Sequence, residues 1–114
     1  MVDERTVALR WIVTGPRRAG KTTFCRHMAD LARSAGWDLA GVLSLPCFEG
    51  ASKVAIRALD LRSGDSRLLA SNRPGDGEGF QFCNWHFDAA ALDWVNGVLQ
   101  NAPPCDLLIV DEIG

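Results

Sequence analysis

The sequence predicts a three-layer α/β domain built on a mainly parallel β-sheet. Three mostly apolar runs, at residues 7–14, 39–45 and 107–110, have the length and composition of strands that are buried on both faces. Two segments with helical periodicity, at residues 21–35 and 89–99, lie between these runs. Alternation of strands with helices is typical of a sheet that helices cover on both sides.

The first helix is predicted to begin at Lys21 and to end before Gly36, which stands where a C′ glycine ends a helix. Its apolar residues recur at helical spacing and predict one core-facing stripe, made of Phe24, Met28, Leu31, Ala32 and Ala35. The strand at 39–45 is expected to stop at Pro46, because proline cannot donate to a strand ladder.

A β-hairpin is predicted next, as an insertion at about residues 53–71, because residues 54–61 and 66–71 flank the turn sequence RSGD. A glycine-rich loop is expected at 71–79, followed by a short strand at 80–85. Asp88 is then suited to cap a second helix. The apolar face of that helix is predicted to be Ala91, Leu92, Val95, Val98 and Leu99.

Length and composition indicate one small domain over residues 1–114. The chain is 47% hydrophobic and 23% charged, and its formal net charge of −2 leaves no basic surplus for nucleic acid. It has no run of 18 apolar residues for a membrane span, and Asp3 and Glu4 are unlike a signal peptide. Four cysteines without a CxxC pair are expected to be reduced thiols in the cytoplasm. Composition leaves the oligomeric state open.

The most specific motif is a phosphate-binding loop, GPRRAGKT, at residues 15–22. It fits the pattern GxxxxGK[ST], follows a predicted strand and opens a predicted helix. The simpler alternative is a glycine turn before an ordinary helix. The glycines let the backbone approach the phosphates, and the positive start of the helix attracts anions. The lysine brings a positive charge to the β- and γ-phosphates, and the threonine hydroxyl ligates Mg²⁺. The predicted nucleotide-binding residues are Gly15, Pro16, Arg17, Arg18, Ala19, Gly20, Lys21, Thr22 and Thr23, of which Lys21 is also a catalytic candidate.

Arg18 stands where many such loops carry a small residue. Two interpretations are open at this point. In the first interpretation, Arg17 and Arg18 are solvated charges on an exposed loop. In the second, Arg18 reaches the γ-phosphate as a built-in arginine finger and is a catalytic residue.

Two acidic residues, Asp111 and Glu112, follow the last apolar strand. Open α/β sheets bind their ligands at the carboxyl ends of their strands. We therefore expect Asp111 to hold Mg²⁺ through water, opposite Thr22, and Glu112 to act as general base or to orient an attacking water. A solvated strand end is the simpler alternative. An NTPase needs only an activated water, whereas a kinase needs a site for a second substrate. The acidic pair therefore favours hydrolysis.

With these motifs in view, the chain resembles the small P-loop nucleoside-triphosphatases first described from thermophiles, also called cancer-related nucleoside-triphosphatases. The similarity runs from residue 12 to residue 114, through GPRRAGKTT at 15–23, AGVLSLP at 40–46, ALDLRSGDSRLLA at 58–70 and LLIVDEIG at 107–114. The resemblance implies a P-loop NTPase fold and Mg²⁺-dependent hydrolysis of nucleoside triphosphates, with loose base preference. Family members continue past DEIG, so we expect this chain to be truncated and its fold incomplete at the C-terminus.

Two other functions share the phosphate loop. Some nucleoside monophosphate kinases carry an arginine at the position of Arg18, and non-catalytic GTP-binding adaptors share the loop, the helix and the second strand. The kinases need basic residues placed for their acceptor, and an Asp-Glu pair at the strand end is not their usual pattern. Hydrolysis is therefore the leading hypothesis, and phosphotransfer and an adaptor role are the alternatives.

Overall fold

The computed structural model describes residues 20–72, 79–82 and 84–111. In these ranges the chain forms α1 (Lys21–Ser34), β1 (Leu39–Glu49), β2 (Ser52–Asp60), β3 (Ser66–Ser71), β4 (Gly79–Phe82), β5 (Trp85–Asp88), α2 (Ala89–Gln100) and β6 (Leu107–Val110). The strands form one sheet in the order β4-β5-β3-β2-β1-β6. The first predicted strand, at 7–14, lies outside the described residues.

The two helices cover opposite faces of this sheet. α1 packs Ala29 and Ala32 against one face, where Leu43 of β1 is fully buried. α2 packs Val95 against the other face, onto Val42 of β1. Neighbouring residues of a strand point to opposite faces, so β1 contributes to both layers of the core. The predicted three-layer α/β class is confirmed.

The described part of the sheet is mixed rather than mainly parallel. β1 and β6 are parallel, with Val42 opposite Val110. The other described pairings are antiparallel, and the hairpin of β2 and β3 is present where the sequence predicts it. The expectation of a mainly parallel sheet does not hold for this part of the chain, because short connections join consecutive strands by antiparallel pairing.

The core-facing side of α1 differs from the predicted stripe. Of the predicted stripe, Ala32 is buried, whereas Phe24, Met28 and Leu31 are 49%, 41% and 58% exposed and Ala35 is exposed as well. Ala29, which lies outside the stripe, is buried. The helix is apolar on two adjacent sides, and the side that carries small residues faces the sheet. Small side chains allow the helix to approach β1 closely at interior packing density, so packing and not periodicity selected the face.

β1 runs through Pro46 to Glu49 instead of stopping at the proline. Backbone N–H groups alternate in direction along a strand, so the nitrogen of Pro46 lies on the same side as that of Val42, toward β6. The β6 ladder ends at Val110, opposite Val42. No described strand therefore stands where residue 46 would donate, and proline is tolerated there.

The region from β4 to α2 follows the prediction in part. The predicted strand at 80–85 is instead two strands, which pair antiparallel with Phe82 opposite Trp85. The second helix is confirmed, and Asp88 caps it by accepting a hydrogen bond from the N–H of Ala91 at 2.8 Å. In the described ranges, no helix is long and apolar enough to cross a bilayer.

Candidate functional site

The amino end of α1 begins at a glycine in a left-handed conformation. Gly20 has φ 89° and ψ 22°, and its carbonyl accepts the first helical hydrogen bond, from Phe24 N–H at 2.8 Å. Glycine carries no side chain that could accept from the next amides. Lys21 and Thr22 are half-buried at this helix start, and Thr23 is exposed. An uncapped helix start is electropositive and suited to an anion.

A carboxylate lies beside this helix start, at the end of β6. Asp111 follows Val110 directly and is half-buried. Its N–H donates to the backbone carbonyl of Val42 at 3.1 Å, which extends the contact of β6 with β1 by one residue. Its side-chain Oδ2 accepts a hydrogen bond from Thr22 Oγ1 at 2.9 Å, across 89 positions of sequence. The structure thus brings the two predicted metal-binding residues into direct contact.

Ser44 of β1 makes a second contact with the same carboxylate oxygen. Its backbone N–H donates to Asp111 Oδ2 at 3.0 Å, so α1, β1 and β6 converge on one atom. Ser44 is not among the site residues predicted from the sequence. Its one signal in the sequence is a polar residue within an apolar strand. In the structure Ser44 is buried, at 7% exposure. The sequence does not show that Ser44 lies next to Asp111, because that depends on the register in which β1 pairs with β6.

The charge of Asp111 also acts on Cys25, one turn along α1 from Thr22. Burial raises the pKa of the Cys25 thiol, and the negative charge of Asp111 raises that pKa further. The thiol therefore stays protonated at neutral pH. Cys25 packs against the apolar cluster under α1, and we interpret it as support for the site and not as a ligand.

Several predicted site residues lie outside the described residues. They are Gly15, Pro16, Arg17, Arg18 and Ala19 of the loop, and Glu112 after the strand. Their nucleotide-binding and catalytic roles stay predictions. The described part of the site comprises Gly20, Lys21, Thr22 and Thr23 at the helix start, and Asp111 opposite them.

Fold and site together define a class of protein. A glycine-led helix start that carries Lys-Thr, set against an aspartate at the carboxyl end of a nearby strand, has the form found in P-loop nucleotide-binding proteins. In that class the helix start supplies amide donors and a lysine to the phosphates. The aspartate and the threonine hydroxyl lie on the metal side.

Comparison with known proteins identifies the family. The family model described as NTPase matches residues 10–114, and the chain belongs to this family. The chain is 28% identical over 112 residues to the nucleoside-triphosphatase THEP1 of Pyrococcus abyssi, and 30% identical over 111 residues to that of Thermococcus kodakarensis. These alignments cover 93% and 95% of this chain. The resemblance drawn from the motifs is confirmed.

A solved structure has the same fold. The solution structure of a human cancer-related nucleoside triphosphatase matches with a TM-score of 0.65 at 22% identity, and the match covers 88% of this chain and 57% of that one. The predicted P-loop NTPase fold is thereby confirmed. The chain spans 59% and 62% of the length of the two THEP1 relatives, or about three fifths.

Proposed function

We propose that this chain provides the phosphate- and metal-binding part of a Mg²⁺-dependent nucleoside-triphosphatase. The enzyme hydrolyses nucleoside triphosphates, such as ATP and GTP, to the diphosphate and phosphate. The observation that carries the proposal is the 2.9 Å hydrogen bond from Thr22 Oγ1 to Asp111 Oδ2. This hydrogen bond brings the threonine hydroxyl and the aspartate carboxylate together, and binding of a metal-bound triphosphate requires these two groups to lie close to each other. Membership in the NTPase family supports the same reaction.

The start of α1 supports triphosphate binding through its charge and its amides. The left-handed turn at Gly20, with φ 89°, leads the backbone into the helix without a Cβ beside the phosphate. In the proposed complex the first amides of α1 donate to phosphate oxygens, and the Lys21 ammonium lies against the β- and γ-phosphates. Thr23 is proposed to donate to the α-phosphate, and residues 15–19 to complete the cradle.

The chemistry of the donor pair fits Mg²⁺. Thr22 offers a hydroxyl oxygen and Asp111 a carboxylate oxygen, and Mg²⁺ prefers such oxygen ligands and keeps several waters. In the proposed site Thr22 would ligate the ion directly and Asp111 through water. Bound Mg²⁺ supplies positive charge that offsets the charge on the β- and γ-phosphates.

The reaction itself requires an oriented water molecule. The oxygen of this water attacks the γ-phosphorus while the bond to the β–γ bridging oxygen breaks, which yields the diphosphate and phosphate. We assign Glu112 to orient the water and take its proton, and Lys21 to stabilise charge on the γ-phosphoryl group. The arginine-finger hypothesis adds a second cation, Arg18, at the same place. Arg18→Ala is then expected to reduce turnover more than Arg17→Ala.

Phosphate release is the direct test of the proposal. Purified protein is mixed with Mg²⁺ and each of the four common nucleoside triphosphates, without an acceptor. We expect Mg²⁺-dependent release, and a fall of roughly 100-fold in Thr22→Val and Asp111→Asn, the size of effect seen when one charge-stabilising group is removed. Asp93→Asn is the matched control, because it removes an exposed carboxylate of α2 and should retain activity.

The other outcomes separate the alternatives. Transfer that requires a phosphate acceptor would indicate a kinase, and nucleotide binding without turnover would indicate an adaptor. The proposal is overturned if a form with the length of the THEP1 relatives releases no phosphate and Asp111→Asn behaves identically.

We also propose a cytoplasmic location, with the nucleoside triphosphate as the partner of this site. The cysteines of the described residues, Cys25, Cys47 and Cys105, are free and half-buried. Unpaired cysteines are in keeping with a reducing compartment.

A further inference from the structure

We infer that the backbone N–H of Ser44 is a positioning group that orients the Asp111 carboxylate toward the divalent metal. It does so because the Asp111 side chain takes the place of the Asp111 main-chain carbonyl in the ladder between β1 and β6. The metal in this inference rests on the proposed function, whereas the hydrogen-bond geometry does not.

The substitution follows from the pattern of a parallel ladder. In such a ladder a residue donates its N–H to one carbonyl of the neighbouring strand and accepts, at its own carbonyl, from the N–H two residues further along. Asp111 N–H donates to the carbonyl of Val42. A regular ladder would therefore direct Ser44 N–H to the main-chain carbonyl of Asp111. In the structure that N–H donates to Asp111 Oδ2 at 3.0 Å, and β6 ends at Val110.

The two donors to Oδ2 differ in rigidity. The Thr22 hydroxyl turns with its side chain. The Ser44 amide belongs to β1, which pairs with β2 at this residue, opposite Ala58, and with β6 up to Val42, two residues earlier. Ser44 is also buried, at 7% exposure. An amide donor to a carboxylate forms a charge-assisted hydrogen bond, which is stronger than a neutral one. The strand therefore holds the carboxylate oriented before a metal or a nucleotide arrives.

A nuclear magnetic resonance measurement tests the geometry without metal or nucleotide. Coupling across a hydrogen bond correlates a backbone nitrogen with the carbon that bears the acceptor oxygen. We expect the nitrogen of Ser44 to correlate with the side-chain Cγ of Asp111. A correlation with the main-chain carbonyl carbon of Asp111 instead would overturn the inference, because the ladder would then be regular.

A backbone ester tests the consequence for metal binding. Chemical ligation replaces the amide nitrogen of Ser44 by an ester oxygen, which removes the N–H and keeps the side chain. The matched control is the same change at Leu45, whose N–H points to β2 because N–H directions alternate along a strand. Binding of a fluorescent nucleotide analogue is followed as Mg²⁺ is varied, together with phosphate release.

We expect the ester at Ser44 to raise the Mg²⁺ concentration required for half-maximal effect by about tenfold, in keeping with the loss of a hydrogen bond to a charged group. Nucleotide binding without Mg²⁺ should change by less than about twofold, as should all readouts for the ester at Leu45. Equal shifts for the two esters would overturn the inference, because both would then reflect loss of strand structure. If the unmodified protein neither binds nor hydrolyses nucleotide, the proposed function fails, while the correlation to Asp111 still decides the geometry.

Discussion

Replacing Gly41 by alanine tests how closely β6 must approach β1 for the site to form. Gly41 lies in β1 opposite Ile109 of β6, with a φ of +115°. A Cβ at this position would overlap the backbone carbonyl of Ile109. Alanine therefore meets both an unfavourable backbone conformation and a clash with backbone atoms, and neither is relieved by rotating a side chain.

The expected cost combines these two effects. A non-glycine residue at such a φ costs about 1–3 kcal/mol. To relieve the clash, β6 must move away from β1, and each ladder hydrogen bond that is weakened contributes about 0.5–1.5 kcal/mol. We therefore expect Gly41→Ala to lower the free energy of unfolding by about 3–5 kcal/mol, a large share of the roughly 5–15 kcal/mol of a typical domain.

Gly64→Ala is the matched control for the backbone effect. Gly64 also has a left-handed φ, +83°, but an added Cβ meets nothing within 4 Å. Urea unfolding followed by tryptophan fluorescence gives both free energies. We expect Gly41→Ala to cost at least about 2 kcal/mol more than Gly64→Ala, and to weaken Mg²⁺-dependent phosphate release because Asp111 moves with β6. Equal costs for the two variants would refute the claim that close approach of β6 at Gly41 stabilises the fold.

Three further predictions follow from the described contacts. Asp88→Ala should lower the free energy of unfolding by about 1 kcal/mol through loss of the α2 cap, and an unchanged melting temperature would contradict this. Cys25 should react with iodoacetamide more slowly at pH 8 than in urea, because burial and then Asp111 raise the pKa of its thiol and leave less thiolate; mass spectrometry should show faster reaction in Asp111→Asn. Leu31→Lys should change the free energy of unfolding by less than about 0.5 kcal/mol because Leu31 is exposed, whereas Ala29→Leu should cost about 1–3 kcal/mol because Ala29 is buried. The reverse order would show that α1 faces the sheet with the side that periodicity predicts.

The fold was predictable where local pattern and packing agree. α2 has one apolar side and a capping aspartate, so its limits and its face both follow from the sequence, and Ala91 and Val95 are buried as predicted. α1 has two adjacent apolar sides, so periodicity alone does not choose between Leu31 and Ala32 as the residue closest to the sheet. The choice depends on how near the helix must lie to β1, which is a property of the packed domain.

Pro46 illustrates the same limit for strands. A proline was expected to end β1, and that rule holds only where the missing N–H would have had a partner. Whether a partner exists at that position depends on where β6 ends relative to β1, which local sequence does not show.

By itself, the sequence predicted the residues at the two halves of the candidate site. The order strand, glycine-rich loop, helix predicted where Lys21 and Thr22 stand, and the acidic end of an apolar strand predicted Asp111. Both are local patterns, in which neighbours along the chain are also neighbours in space. Only the tertiary structure decided that Thr22 and Ser44 meet on one oxygen of Asp111. That meeting depends on the parallel register of two strands distant in sequence and on the seating of α1, and both are set by packing across the whole sheet.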